Sequence, residues 1–472
     1  MLDSMMARDE AANGRFLVGV LTTGIYCLPS CPARKPKPAN VRFLRTEEEA
    51  REAGLRPCLR CRPNDFYRGV DVEEERAEEL MRAVADEPAE FADVASLSRA
   101  AGVGSSKLHE LFRRYFHSTP ARELGRARIA RSADLLLATE RSVAEIAFDA
   151  GFESLSSFND NFVRTMAMAP AAYRKLPGSA ELDLRLPRSY PLAESLRYLG
   201  RSEAAGVEKV EDRTLAAGVW LAGSPARLTI DLEPGSARCR IDSAGELDGE
   251  AAVEAHRLAL NYLGLGSDVA PFTRSLSREG EEAWRRELPR RFRLWRTGDP
   301  FSCLLWVLVG QQIGFGFACK LLRQLTELAG ESLGGGLSAP ARPETVAELT
   351  PRRLMHRQFS RSKAEYVTDL ARRVVSGHLD LNGGRATSVT RRRRALLAER
   401  GIGPWSADYL LMRGYGFEDC LPHGDAGLRQ ALVSVRGMDH PPASREIDEL
   451  MAGFAPYRSF ATFSLWQTLG GT

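Results

Sequence analysis

The sequence predicts a multidomain chain, mainly α with α+β parts, and three observations lead there. Its 472 residues exceed one ordinary core; at roughly 150 residues per domain they suggest about three. Four of the eight cysteines fall in one short, proline-rich segment, Cys27 to Cys61, and so small a block needs a staple to fold. Beyond it, apolar spacing is helical over two long stretches and strand-like between them. The expected organisation is a small four-cysteine domain over 1–70, a double helix-turn-helix domain over 72–176, a small sheet-plus-helix domain over 181–270, and an all-α domain over 272–472.

The elements follow in that order. Pro29, Pro32, Pro36, Pro38, Pro57 and Pro63 make the first block turn-rich. Apolar residues recur at helical spacing from Ala77 to Val84, from Val94 to Phe116 and from Val143 to Tyr173, with Gly102 and Gly151 at tight turns. Pro177-Gly178-Ser179 reads as a linker. Ala217 to Leu221 and Arg227 to Leu232 alternate or run apolar, as strands do. From 272 the pattern is helical again, interrupted at Gly334-Gly335-Gly336 and Asn382-Gly383-Gly384.

Composition narrows the class. The chain is 44% hydrophobic and 27% charged, as globular proteins are. No stretch is apolar enough to cross a bilayer, Phe301 to Val309 being core-sized. The first ten residues are acidic early and hold no apolar leader, so the expected compartment is the bacterial cytosol, with nucleoid association when DNA is bound, and no membrane partner. A net charge of +3 argues for nothing globally. Locally, Arg34, Lys35 and Lys37, then Arg113 and Arg114, then Arg126, Arg128 and Arg131, then Arg391 to Arg394 cluster. One cluster alone is a solvated face; several, each beside a motif of one class, point to phosphate contacts, Arg34 among them. Cys239, Cys303, Cys319 and Cys420 stand among apolar neighbours as ordinary buried thiols.

Cys27-x3-Cys31 and Cys58-x2-Cys61 are separated by 26 residues. Two such pairs can place four sulfurs around one tetrahedral Zn²⁺. A purely structural zinc knuckle is the competing reading. Four thiolates around one zinc carry a formal charge of about −2 and are electron-rich enough to displace a methyl group. The runs Thr22-Thr23-Gly24-Ile25-Tyr26-Cys27-Leu28-Pro29-Ser30-Cys31 and Gly54-Leu55-Arg56-Pro57-Cys58-Leu59-Arg60-Cys61 resemble the N-terminal domain of the bacterial Ada alkylation-response proteins. The resemblance covers about residues 14 to 65. It implies that Cys27 accepts a methyl from a backbone methylphosphotriester, and that Cys31, Cys58 and Cys61 complete the zinc site. Methylation would remove a negative charge facing a polyanion and tighten DNA binding.

Two helix–glycine–helix units follow, Val94 to Val103 with Ser105-Ser106-Lys107-Leu108-His109, and Val143 to Phe152 with Ser154-Leu155-Ser156-Ser157-Phe158. One unit is common in any bundle, whereas two within about a hundred residues suggest recognition helices for successive major grooves. Ala147-x-Asp149-x-Gly151-Phe152-x-Ser154-x-Ser156-x-Phe158-Asn159, continuing to Pro170-x2-Tyr173-Arg174, is similar to the AraC-type DNA-binding domain. Ser105, Ser106 and Lys107, then Glu153, Ser154 and Ser157, are the candidate outward-facing contacts. Phe152, Phe158 and Phe162 are expected in the core.

Leu396 to Tyr409 contains Gly401-Ile402-Gly403-Pro404-Trp405-Ser406-Ala407 after an apolar helix. Gly401 and Gly403 let backbone N–H groups between two helices reach a phosphate. Asp425 follows about twenty residues after the hairpin. A fixed carboxylate there can stabilise the positive sugar of N-glycosidic cleavage and orient water, although a lone Asp is more often a helix cap. Together with Val309-Gly310-Gln311-Gln312-Ile313, Phe359 to Ala364 and Pro456 to Ala461, these residues resemble AlkA, the 3-methyladenine-DNA glycosylase II group of the helix-hairpin-helix superfamily, over 181–472. The resemblance implies that Asp425 is the catalytic aspartate and that Trp405, Tyr409 and Trp466 line the base pocket, where electron-rich rings favour cationic alkylated bases. Core packing is the competing role for both tryptophans. Lyase-competent relatives carry a lysine where Trp405 stands, and no four-cysteine cluster follows Cys420, so monofunctional cleavage is expected. No Pro-Cys-His-Arg segment occurs, so O6-alkylguanine methyl transfer is not expected.

The combined reading is an alkylation sensor, transcription regulator and glycosylase in one chain. Its expected partners are double-stranded DNA, both alkylated and promoter DNA, and RNA polymerase, and the chain is expected to act as a monomer. The rivals are a regulator whose last domain only binds DNA, and a repair enzyme whose first half only targets it.

Overall fold

Near the N-terminus four short strands make a sheet: β1 Leu17–Val20, β2 Ile25–Cys27, β3 Val41–Leu44 and β4 Arg56–Pro57, in the order β3-β1-β2-β4. β1 runs antiparallel to β2 and β3, while β2 and β4 pair in parallel. That parallel pair is what brings the two cysteine pairs together, because Cys58 N donates to Tyr26 O at 3.0 Å. The helix Glu47–Glu52 is capped by Thr46, with Glu47, Glu48 and Glu49 in its first turn, where the helix dipole favours acids. Leu17, Tyr26, Leu44, Ala50 and Leu55 fill the core.

This computed structural model describes residues 1–67, 69, 71–243, 245, 249–277 and 282–469. The chain divides into two units, Met1–Arg82 and Ala83–Thr472. Among the described residues no helix is long and apolar enough to cross a membrane.

In the second unit the helix Val94–Ala101 starts from a capping box between Asp93 and Ser96 and stops at Gly102, φ 64°. Ser105–Phe116 and the long Pro120–Ala138 follow. The second helix pair, Val143–Asp149 and Leu155–Met166, repeats the scheme around Gly151, φ 90°. Phe152, Phe158 and Phe162 are buried, as expected.

After the linker comes a five-stranded antiparallel sheet, β5 Glu181–Arg185, β6 Glu208–Glu211, β7 Thr214–Leu221, β8 Ser224–Glu233 and β9 Ser236–Ser243, in the order β5-β9-β8-β7-β6. β5 alternates between exposed and buried residues throughout, and β9 does so as far as Asp242, the sign of one covered face. The covering is shared. Ile129, Leu136, Phe158, Phe162, Tyr173 and Leu176 of the helix-turn-helix part form one core with Leu182, Leu184, Leu228, Ile230 and the helix Gly249–Tyr262. His256 on that helix donates from Nε2 to Met166 O at 2.8 Å and meets Tyr173 edge to face.

The remaining chain is helical but for a short hairpin, β10 Glu331–Ser332 with β11 Ser338–Ala339, which the glycine run Gly334-Gly335-Gly336 turns. β11 crosses the sheet where β7 has Gly218; a Cβ there would lie 2.0 Å from Ser338 O. The buried helix Pro300–Gly310 is the centre of this part, packed against Phe315–Ala329, Arg361–Val375 and Pro404–Leu410.

Two basic clusters are not laid out as the sequence suggested. Arg392 is buried, donating to Gly383 O and Gly384 O, and Arg393 grips Asp408 with Nε–Oδ1 at 2.7 Å and Nη2–Oδ2 at 3.1 Å. Arg128 donates to Phe91 O and Ala92 O, and Arg126 pairs with Glu123. A guanidinium used inside the fold is unavailable to a phosphate. Arg122 makes a two-pronged pair with Glu418, across the seam between the helix-turn-helix and glycosylase-like parts.

Candidate active site and metal centre

The hairpin joins the helix Val389–Leu397 to Pro404–Leu410. Gly401 has φ 93°, and a Cβ on it would sit 2.6 Å from the Tyr366 ring. Only glycine satisfies both the torsion and the contact. Gly403 is extended, with open space around it. Gln311 braces the turn from the side, its Nε2 donating to Gly401 O at 2.8 Å and to Ser406 Oγ at 2.9 Å. Pro404 begins the second helix, where a missing N–H costs nothing.

Asp425 caps the helix Ala426–Arg436, its Oδ1 accepting Leu428 N at 2.6 Å. So the bland reading of a lone Asp as a cap is structurally correct, and the cap is also where the special contacts are. Trp405 Nε1 donates to Asp425 Oδ2 at 2.9 Å, and Trp466 Nε1 donates to Oδ1 at 2.9 Å. Tyr409 lies between the two indoles, with ring centroids 5.3 Å from Trp405 and 6.0 Å from Trp466. Trp405 and Trp466 are half-buried against the core, so packing and site lining coexist in both. Burial pushes the Tyr409 hydroxyl up to about 12, so it stays protonated.

These four side chains face a cleft of about 1330 Å³ that also borders Gly401, Gly403, Gln311 and Lys363. It is large enough for an extruded nucleotide. Lys363 is the lysine that lines this cleft. Its Nζ donates to Val309 O and, at 2.6 Å, to Gln311 O, capping the helix Pro300–Gly310. Desolvation lowers its pKa.

Sequence reasoning missed Tyr198. It reaches the cleft from the sheet domain, stacking on Trp295 with centroids 4.5 Å apart and receiving a hydrogen bond from Arg201 Nη2 at 2.7 Å. Its signal is faint: one aromatic on the amphipathic helix Leu192–Gly200, more than two hundred residues from the hairpin. Gln311 and Lys363 lie in the segments 309–313 and 359–364, whose pattern assigns neither a role.

In the first unit the ligand atoms of Cys27, Cys31, Cys58 and Cys61 lie within 4.8 Å of one another. Zn–S bonds of about 2.3 Å in a tetrahedron need sulfurs about 3.8 Å apart, so the four thiols fit one zinc ion. Leu28 N donates to Cys61 Sγ at 3.4 Å. Hydrogen bonding with Cys31, then Cys58 and Cys61, pushes Cys27 up, while Cys27 and its neighbours pull Cys58 down. Thiols this close cannot all ionise alone, and a divalent cation is what makes all four thiolates. Cys27, Cys31 and Cys58 are buried and Cys61 is half-buried. Lys35 stands beside the centre, its Nζ donating to Cys31 O at 3.4 Å, and Arg34 is exposed.

The candidate DNA-reading residues are spread along two helix starts. Ser105 and Ser106 are exposed; Lys107 is half-buried and pairs with Glu110 at 2.9 Å. Glu153, Ser154 and Ser157 are exposed, and the Ser154 hydroxyl accepts Ser157 N at 3.2 Å as the cap of Leu155–Met166.

The comparisons with known proteins cover the same regions. Residues 1–64 match the family described as the metal binding domain of Ada, 97–176 a helix-turn-helix domain, and 305–456 the HhH-GPD superfamily base excision DNA repair protein. A solved 3-methyladenine DNA-glycosylase from Archaeoglobus fulgidus superposes with TM-score 0.52 at 19% identity, over 61% of this chain and 97% of that one, which shows the fold alone. A DNA-3-methyladenine glycosylase of Bacillus subtilis is 35% identical over 36% of this chain and 57% of its own. The "Probable bifunctional transcriptional activator/DNA repair enzyme AlkA" of Mycobacterium tuberculosis is 30% identical over 99% of this chain and 95% of its own. Likeness at that level along nearly the whole length means that the chain belongs to the family of AlkA-type bifunctional transcriptional activator/DNA repair enzymes.

Proposed function

We propose that the second unit excises alkylated bases of the 3-methyladenine type from duplex DNA by monofunctional N-glycosidic cleavage, with Asp425 as the catalytic carboxylate. The observation that carries this is the Asp425 carboxylate fixed by two indole N–H groups at the rim of a cleft beside the hairpin. The hairpin N–H groups of Gly401 and Gly403 hold the DNA phosphate, and the extruded base stacks among Trp405, Tyr409 and Trp466. As the glycosidic bond lengthens, positive charge grows on the sugar, and Asp425 stabilises it while water adds to the anomeric carbon. The product is an abasic site with an intact strand. Trp405 occupies the hairpin slot, and Lys363 is committed to two carbonyls, so among the described residues that line the cleft no amine is placed to form a Schiff base.

The first unit accepts a methyl group at Cys27. The Cys27 sulfur attacks the methyl carbon of a methylphosphotriester; the S–C bond forms, the C–O bond breaks, and the phosphodiester anion leaves. A bound zinc ion keeps the four sulfurs deprotonated. What supports Cys27 as acceptor is the match of its flanking residues to the Ada-type pattern. Loss of one negative charge then strengthens DNA binding, and the helix-turn-helix module, through Ser105, Ser106, Lys107, Ser154 and Ser157, reads promoter DNA and brings RNA polymerase to it.

The test is base release from methylated duplex by the whole chain. Wild type is expected to free 3-methyladenine and leave no borohydride-trapped protein–DNA adduct, and Asp425→Asn to release it on the order of 10³-fold more slowly. Release by Asp425→Asn at the wild-type rate, or a trapped adduct, would overturn the assignment. For the first unit, a methyl on Cys27 after incubation with methylated DNA, absent in Cys27→Ala, is the matching readout.

A further inference from the structure

Behind the base pocket lies a guanidinium that the excision chemistry does not use. Arg413 sits in a π-helical turn, Leu411–Tyr415, that continues the second hairpin helix. It is 7% exposed. Its Cζ lies 5.9 Å from the Tyr409 ring centroid, 5.1 Å from that of Tyr198 and 5.6 Å from that of Phe463. Nη1 donates to the Tyr198 hydroxyl, and Nε has no partner. Among the described residues no carboxylate forms an ion pair with it. Glu208 is the acid that faces it; burial raises the Glu208 carboxyl, whose Oε2 accepts from Ser202 Oγ at 3.0 Å. A buried cation with no carboxylate in ion-pair contact is costly and is tolerated here by three aromatic faces.

Those faces belong to the pocket. Tyr198, Tyr409 and Phe463 all border the cleft. Tyr198 carries a second cation, Arg201, whose Cζ lies 3.8 Å from the ring centroid. Tyr409 has Trp405 on one side and Arg413 on another. A ring that already attracts one cation offers less to a second, and like charges repel across it in a water-poor site.

We propose that Arg413 is a specificity-determining residue that sets the balance between cationic and neutral bases, acting through Tyr409 and Tyr198 rather than by touching the base. It lowers the advantage that the aromatic pocket gives to positively charged alkylated bases, and so admits neutral damaged purines. This rests on the base-excision reading of the same cleft.

The whole chain is assayed with duplexes carrying 7-methylguanine, which is cationic in DNA, or hypoxanthine, which is neutral. Arg413→Met is expected to raise the ratio of kcat/KM, cationic over neutral, by about tenfold, equivalent to about 1.4 kcal/mol; Arg413→Lys is expected to keep the wild-type ratio. A folded Arg413→Met protein with an unchanged or lower ratio overturns the proposal. Where Arg413→Met does not fold, Arg413→Gln serves with the same expected direction. Quenching of tryptophan fluorescence by 7-methylguanosine and by guanosine reads the same preference without turnover. A wild type that releases neither base counts against the excision reading, while the nucleoside binding ratio still decides the role of Arg413.

Discussion

Trp466 Nε1 donates to Asp425 Oδ1 at 2.9 Å, and that same oxygen accepts Leu428 N at 2.6 Å. One carboxylate oxygen therefore caps a helix and faces a pocket aromatic. Asn keeps the cap, since its side-chain oxygen accepts the same N–H, but it removes the charge and sets an NH2 where Oδ2 accepts the Trp405 indole N–H. Asp425→Asn should lower base release on the order of 10³-fold while the helix cap stays in place. Asp425→Ala should also lose about 1 kcal/mol of stability with the cap. Single-turnover release and thermal melting measure the two effects separately.

The two hairpin glycines should behave differently. Gly401→Ala forces a side chain into φ 93° and against the Tyr366 ring, and is expected to cost about 2 kcal/mol. Gly403→Ala meets nothing within 4 Å and should leave stability nearly unchanged. If its N–H lies against a DNA phosphate, the added methyl instead weakens duplex binding. Denaturant melts together with DNA titrations would show the contrast.

Glu418 is the acid that Arg122 grips, with Arg126 at 3.8 Å and the Glu418 side chain only 5% exposed. Glu418→Gln strands cationic groups at a buried seam and should cost about 3 kcal/mol. Replacing Arg122 and Glu418 together by Leu and Met should recover much of that loss. A double-mutant cycle in urea tests it; equal losses for single and double variants would contradict the pairing.

His256 gives an acid limit. Burial lowers its pKa from 6.5 to about 4, with the Met166 carbonyl opposing weakly. Between those values the unfolded chain takes up a proton that the folded chain refuses, so stability rises with pH there. The contribution is complete above pH 6.5 and is lost as pH falls toward 4, at most about 3 kcal/mol. His256→Gln, which can keep a donor to Met166 O, should flatten this part of the stability–pH curve measured by urea denaturation.

The parts legible in the sequence share one property: their chemistry is set by residues close in the chain. Cys58 and Cys61, Gly401 to Trp405, and the capping sets of the helix-turn-helix units announce themselves by spacing. The indole–carboxylate contacts were not readable, because Trp405, Asp425 and Trp466 lie on three separate helices whose crossing decides which ring edge faces the acid. Tyr198 and Arg413 were hidden for the same reason, joined across 215 positions. Arg392 and Arg393 misled in the opposite sense: a run of like charge looks like surface, yet two of its members turn inward to carbonyls and Asp408.

The core that Phe162 and Tyr173 share with the strands and with His256 bears on how such a gene can change. A nonsense mutation just after the linker would release a helix-turn-helix module with that apolar face bare, a substrate for proteases and chaperones rather than a working regulator. Splitting the gene at this seam would penalise both products. Regulator and glycosylase-like part are therefore expected to be inherited, expressed and degraded together, in fixed one-to-one proportion.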